Sequence, residues 1–259
     1  MSSNRLRLNP NKTQYIWFGT RQQLAKINLE ALTSEFPWVT FSSTVRDLGV
    51  TLDQELTFRQ HINLLCRSCY YQLRQLRVIS RSLTPTAAST LVHAFVVSRL
   101  DYCSALYDGL PAVRIGCLDR VLRTAARLIG RIPKFGRVSE YMRDVLHWLP
   151  IQQRITYRVS ALVWRCLEGL GPQYLRELCC PTSGIQWRSA LRSADQALLL
   201  VPRSRTTTKQ RRSFSVAGPV TWNGLPAVLR LVPRGHTTMF LTKLKTVLFG
   251  LGWTGSASE

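Results

Sequence analysis

Three groups of residues in this sequence have the types and spacing to do chemistry: the aspartates, the cysteines with their neighbouring histidines, and the arginines. Two-metal phosphoryl chemistry needs clustered carboxylates, because several negative oxygens must hold two divalent ions a few ångströms apart. The seven aspartates never occur as an adjacent pair. Asp47 and Asp53 come closest in character, and they bracket a strand as turn residues. Cys66-x-x-Cys69, preceded by His61, is the one pair at metal-ligand spacing, and it lacks a second pair at finger-like distance; adjacent Cys179-Cys180 do not supply one. Small apolar packing roles are expected for these cysteines. His61, His93, His147 and His236 lie far apart, each on or beside an apolar stretch, and a structural role is expected for each. No Walker loop, G-x-S-x-G elbow, H-E-x-x-H or glycine-rich dinucleotide turn is present.

The arginines behave differently. Phe58, Ile62, Leu65, Cys69, Leu73, Leu76, Ile79 and Leu83 step by three and four, which predicts one amphipathic helix ended by Thr84-Pro85. At about 100° per residue, Arg59, Arg67, Arg74, Arg77 and Arg81 share an arc of roughly 80° nearly opposite that stripe, with Tyr70 among them. A second predicted helix, near Leu118 to Arg131, repeats the design with Arg120, Arg123, Arg127 and Arg131. One such row would be a solvated face. Two rows point to a phosphate backbone, which suits the planar guanidinium fork. The whole chain agrees: 35 Lys and Arg against 14 Asp and Glu give +21 over 259 residues, far beyond what solubility requires. Nucleic acid (RNA, an RNA–DNA hybrid or DNA) is therefore the expected partner.

Other elements must position these rows. Strands are predicted at Thr13 to Thr20, Trp38 to Ser42 and Leu48 to Leu52, with a short helix around Gln22 to Leu32. Further helices are expected over Thr86 to Tyr107, Val138 to Trp148, Gln152 to Leu167 and Pro172 to Leu178, punctuated at Leu110-Pro111, Leu149-Pro150 and Gly171-Pro172. The fold class is α+β, mostly α. With 45% hydrophobic residues a real core is expected. The odd count of seven cysteines, without framework spacing, indicates reduced thiols. The most apolar run, near Leu91 to Val97, is broken by His93 and Arg99, so no membrane association is expected. The polar N-terminus is no signal peptide, and an intracellular protein, nuclear or cytoplasmic, is expected.

Asn9-Pro10-Asn11 is turn chemistry feeding the aromatic run Tyr15 to Gly19, yet almost nothing precedes it to return from. A resemblance accounts for this. In order, "LNPNKTQYIWFG", "VRDLGVTLDQELTFRQHI", "SRLDYCSALYDGLP", "LDRVLRTAARLIG", "LHWLPIQQRITYR", "RSFSVAGPVTWNGLP" and "LTKLKTVLF" resemble the C-terminal part of LINE-type (non-LTR, jockey-like) retrotransposon reverse transcriptases. The resemblance implies that the stretch with Lys12 follows the palm hairpin carrying the catalytic Tyr-x-Asp-Asp box. That box would lie upstream of Met1, which leaves Lys12, the late-palm lysine, vestigial. It also implies that Leu48-Gly49-Val50 is primer-grip-like and that the helix from Phe58 begins the thumb.

The implied organisation is a late-palm remnant and β element over 1–56, a helical thumb over 57–110 and a helical post-thumb region over 111–180. A basic loop or linker over 181–212, a compact C-terminal element over 213–250 and a disordered tail over 251–259 complete it. The expected function is binding of template-primer without polymerisation and with no stand-alone catalytic activity. No cofactor is expected in this chain, Mg2+ belonging to the full-length polymerase, whose upstream part is a further expected partner. A stand-alone basic RNA- or DNA-binding protein derived from such an element, or a non-functional remnant, is the alternative.

Overall fold

The computed structural model describes residues 9, 13–37, 39–184, 196–203 and 210–253. The fold is α+β and mostly α, as the sequence predicts. The chain divides into two compact units, Met1–Leu64 and Leu65–Glu259.

In the first unit the predicted helix over 22–32 is two short ones. Thr20 opens α1 (Arg21–Leu24) with a capping box: its hydroxyl accepts from the Gln23 N–H at 3.2 Å and its own N–H donates to Gln23 Oε1 at 3.0 Å. Asn28 accepts from the Ala31 N–H at 3.1 Å and caps α2 (Leu29–Glu35). A short polar side chain competes for backbone donors inside a helix and satisfies them at its start, so the break falls before Asn28.

The strands predicted at Thr13 to Thr20 and Trp38 to Ser42 reduce to one parallel bridge, Tyr15 with Phe41. Phe41 meets the rings of Tyr15 and Trp17 edge-on, each at 6.3 Å between centroids. Trp38 lies outside the described residues. The regular sheet is the antiparallel pair β1 (Thr44–Asp47) and β2 (Val50–Asp53). The strand predicted at Leu48 to Leu52 begins at Val50 instead, because Leu48 and Gly49, with φ of 43° and 87°, form the two-residue turn, and its partner β1 was not predicted. Positive φ at both central positions matches the natural twist of a hairpin.

Helix α3 (Arg59–Ile79) begins beyond a sharp bend in which Leu56 and Phe58 both have positive φ. The Asp53 carboxylate holds that bend, accepting from the Thr57 and Phe58 N–H groups at 2.8 and 2.7 Å. Asp53 is thus a turn residue, as its sequence context indicates.

In the second unit α3 ends earlier than predicted. It gives way to a 3-10 turn at Ser80–Ser82, and Thr84-Pro85 opens the next helix instead of closing this one. Thr84 Oγ1 accepts from the Ala87 N–H at 3.2 Å, and Pro85 takes the first helical position, where its missing N–H costs nothing. From there α4 (Pro85–Val92) continues through a π-helical turn, His93–Val97, into α5 (Ser98–Asp101). After a left-handed Cys103 and a 3-10 turn come α6 (Ala112–Gly130), a second π-helical turn at Tyr141–Val145, α7 (Ile151–Leu167) and α8 (Gln173–Arg176). The C-terminal element holds α9 (Phe214–Asn223), α10 (Ala227–Arg230) and α11 (Thr237–Trp253). Helix α11 makes 251–253 helical, where a disordered tail was expected; 254–259 lie outside the described residues.

The core of this unit has two centres. One is the apolar face of α6, where Leu118, Val121, Leu122 and Ala125 are fully buried. The other is aromatic: Trp164 of α7 stacks on Phe240 of α11 at 4.2 Å, and Trp222 of α9 lies 5.8 Å from Phe240. The described part of the expected linker is tied to this second centre. The Asn223 amide donates to the Leu199 carbonyl and accepts from the Leu199 N–H, both at 2.8 Å, while Trp222 Nε1 donates to the Ala197 carbonyl at 2.8 Å. Leu199 also bridges Pro181 in antiparallel fashion, and the Asn223 amide satisfies the backbone groups of Leu199 on its side away from that bridge.

Candidate nucleic-acid interface

On α3, Cys69, Leu73 and Leu76 are buried, and the opposite face exposes Arg67, Tyr70, Arg74 and Arg77, with Arg81 exposed in the 3-10 turn that follows. Arg59 is exposed too, on the part of the helix assigned to the first unit. The burial steps by four and three, which is what one buried stripe on a helix requires. Helix α6 buries Ile115, Leu118, Leu122, Ala125 and Ile129 in the same way.

Between the two helices lies a cavity of about 300 Å³. Tyr70, Leu73, Arg74 and Arg77 line it from α3, Thr124, Arg127 and Leu128 from α6, and Lys134 from the loop beyond. Four cations therefore converge with no carboxylate among the lining residues. Arg74 and Arg77 have no hydrogen bond or ion pair among the described residues. Arg127 Nη2 donates to the Gly136 carbonyl at 3.5 Å, whereas its Nε is buried without a partner. The Lys134 ammonium sits 5.2 Å from the ring centre of Phe135, a side chain that is itself 90% exposed.

The remaining arginines of the two rows lie outside this cavity. Arg120 folds back on its own helix, donating to the Gly116 carbonyl at 3.3 Å and to Cys117 Sγ at 3.1 Å. Arg131 stands in the left-handed conformation just past α6 and donates to the carbonyls of Ser80 and Leu83 at 3.3 and 3.0 Å. The Ser80 carbonyl also accepts from the Leu83 N–H at 3.4 Å, whereas the Leu83 carbonyl lies just past the 3-10 turn, so Arg131 caps the end of that turn. Arg123 is half-buried, and Arg67 and Arg81 are exposed. Lys134 and Thr124 were not singled out from the sequence. Lys134 follows Pro133 in a loop, where a helical wheel carries no signal.

Of the primer-grip-like residues, Leu48 and Gly49 form the tip of the β1–β2 hairpin, with Leu48 83% exposed, and Val50 is buried. Lys12 lies outside the described residues.

The other chemistry-bearing residues are occupied elsewhere. Asp101 pairs with Arg154 at 3.1 Å, Asp119 accepts from the Ile151 N–H at 3.0 Å to cap α7, and Asp144 pairs with Arg143 at 2.7 Å. Burial pushes the Cys66 and Cys69 thiols up to about 11 each, so they stay protonated near neutrality and are poor ligands or nucleophiles. Among the described residues no three His, Cys, Asp or Glu side chains converge as a metal site. Nor is any described helix long and apolar enough to cross a membrane.

Guanidinium groups of this kind can pair with phosphate oxygens, and an aromatic ring such as that of Tyr70, which lines the cavity with Leu73 and Leu128, can stack on a base.

No family model matches the chain, and no solved structure matches it. The Drosophila melanogaster protein named Probable RNA-directed DNA polymerase from transposon BS is 30% identical over 162 residues, which is 60% of this chain. The matched stretch is 17% of that protein, so the chain spans only a small part of the length of the relative it matches.

Proposed function

We propose that this chain corresponds to the late palm, thumb and post-thumb region of a LINE-type, jockey-like reverse transcriptase, and that it binds template-primer nucleic acid without polymerising. The observation that carries the reading is the cavity between α3 and α6, where Arg74, Arg77, Arg127 and Lys134 meet with no acidic neighbour. The partial similarity to a transposon RNA-directed DNA polymerase supports it. On this reading α3 is the first helix of the thumb and the Leu48-Gly49-Val50 turn supports the primer end.

The partner is RNA, an RNA–DNA hybrid or DNA, because counterion release from any phosphate backbone drives binding to such a surface. No Tyr-x-Asp-Asp box occurs in these residues. The described residues do not fit Mg2+, since Asp101, Asp119 and Asp144 are each engaged in holding helices or arginines. The ion belongs with the full-length polymerase, whose upstream part is the further partner, and Lys12 is a vestige of that chemistry.

The test pairs two assays on the purified chain. Fluorescence anisotropy with a labelled RNA–DNA hybrid is expected to show binding that weakens steeply with salt. Primer extension with Mg2+ or Mn2+ is expected to incorporate no nucleotide, and clear incorporation would overturn the reading.

A further inference from the structure

A second cavity, of about 310 Å³, lies elsewhere in the second unit and shares no residue with the groove between α3 and α6. Three sequence blocks quoted above meet there. "SRLDYCSALYDGLP" contributes Asp101, "LHWLPIQQRITYR" contributes His147, Trp148 and Arg158 among others, and "LTKLKTVLF" contributes Lys245. His93 completes the lining from α4's end.

The charges are arranged, not scattered. Arg154 donates to both Asp101 oxygens at 3.1 Å and to the Leu149 carbonyl at 2.8 Å, and its guanidinium lies 5.8 Å from the Trp148 ring centre. This neutral, fixed pair forms a wall. Arg158 reaches Asp101 only at 3.8 Å and its side chain is 52% exposed, while Lys245 is exposed with no ion pair among the described residues. The cavity therefore keeps two available cations beside an indole and the Tyr157 ring.

The two histidines are held by unusual backbone. His93 begins a π-helical turn and meets Trp148 edge-on at 5.4 Å. His147 follows the second π-helical turn in the left-handed region, φ 50°, with Nδ1–H donating to the Arg143 carbonyl at 3.0 Å. That bond leaves His147 Nε2 without an intramolecular claim. π-Turns and left-handed non-glycine residues cost energy and concentrate at functional sites, and here both flank one cavity.

We infer that this cavity binds a phosphorylated nucleotide, with Arg158, Lys245 and the two imidazoles taking the phosphate and the Trp148–Tyr157 side taking the base. The volume suits a single nucleotide, at the lower end for small-molecule sites. The nucleotide is either free or the 5′-phosphorylated end of a strand; the shared chemistry is a phosphomonoester on a nucleoside. The inference does not depend on the proposed function, because its residues are different.

The experiment is a titration of the full chain, carbon-13 labelled at histidine, with AMP, adenosine and inorganic phosphate. AMP is expected to shift the Cε1–H signals of His93 and His147 saturably, leave those of His61 and His236 in place, and bind more tightly than either fragment. Arg158→Gln with Lys245→Gln, two exposed positions, should weaken AMP at least about tenfold, the loss of one to two charge-assisted hydrogen bonds. The AMP-induced shifts of His93 and His147 report this cavity and not the groove between α3 and α6, whatever that groove binds. Competition by a 5′-phosphorylated oligonucleotide, and not by its 5′-hydroxyl counterpart, would support the strand end as the source; competition by neither would support the free nucleotide. AMP that shifts neither histidine, or binds no better than phosphate alone, or is indifferent to the double substitution, overturns the inference.

Discussion

The groove between α3 and α6 makes a quantitative claim about salt. Each phosphate neutralised on a duplex adds about 0.9 to the log–log slope of affinity against salt, so Arg74, Arg77, Arg127 and Lys134 together contribute a slope of about −3.6. Replacing Arg74 and Arg77 by Gln removes the two groove cations whose side chains have no partner among the described residues, and the slope should become shallower by about 1.8. Between roughly 50 and 200 mM salt, the four-cation groove then accounts for on the order of a 150-fold loss of affinity, and the remaining two for about 12-fold. Because both side chains are exposed, the double variant should fold and melt like the parent, with surface changes costing no more than about 0.5 kcal/mol. The assay is anisotropy of a labelled hybrid duplex at five or so salt concentrations for the parent and two double variants. The second variant, Arg67→Gln with Arg81→Gln, removes the same charge from α3 and the 3-10 turn after it, outside the cavity. A slope that falls equally in both variants would mean diffuse charge binds the duplex and the groove does not. A slope unchanged in both would refute nucleic-acid binding by this face altogether.

Arg131→Gln should behave as a stability variant: it removes the guanidinium bonds to the Ser80 and Leu83 carbonyls, costs about 1–2 kcal/mol in urea unfolding, and leaves the salt slope almost unchanged. Asn223→Ala removes both hydrogen bonds to buried Leu199 and should cost about 2–3 kcal/mol, read by urea denaturation. His61 accepts from the Thr51 N–H through Nδ1, and burial, aided by the charge of Arg46, holds its pKa below the ordinary 6.5. The unfolded chain therefore takes up the proton first, so stability is full above about pH 6.5 and declines as pH falls below it. Hydrogen exchange of the Thr51 amide should accelerate over that window, and a His61→Asn variant, which cannot be protonated, should lose the dependence.

The parts of this molecule that were legible in the sequence are those governed by side-chain periodicity. Cys69, Leu73 and Leu76 on α3, and Leu118, Leu122 and Ala125 on α6, are buried because three- and four-residue spacing leaves a helix no other way to remove them from water. The arginines opposite them follow as a matter of geometry. What periodicity does not encode is the local competition for backbone donors. Asn28 divided one expected helix into two, Thr84 changed from a stop to a start, and Leu48-Gly49 turned a strand into a hairpin. Each outcome depends on a single side chain or φ angle that no pattern of apolar residues records.

The same distinction explains why only part of the predicted arginine row assembles. A helical wheel places Arg120, Arg127 and Arg131 together on α6, since it knows direction and not what stands opposite. In the folded chain Arg131 meets exposed carbonyls at the end of the turn after α3, and Arg120 finds an acceptor on its own helix. Arg74 and Arg77 meet neither, and they are not among the arginines seen in ion pairs, which include Arg143, Arg154, Arg158 and Arg234. Uncompensated like charge destabilises a compact state through self-repulsion. Four cations gathered around one cavity without a carboxylate are then a local cost that folding alone does not offset. A polyanion laid along that groove would offset it, and on the proposed function this is why these four cations, more than the total of +21, are where binding is to be tested.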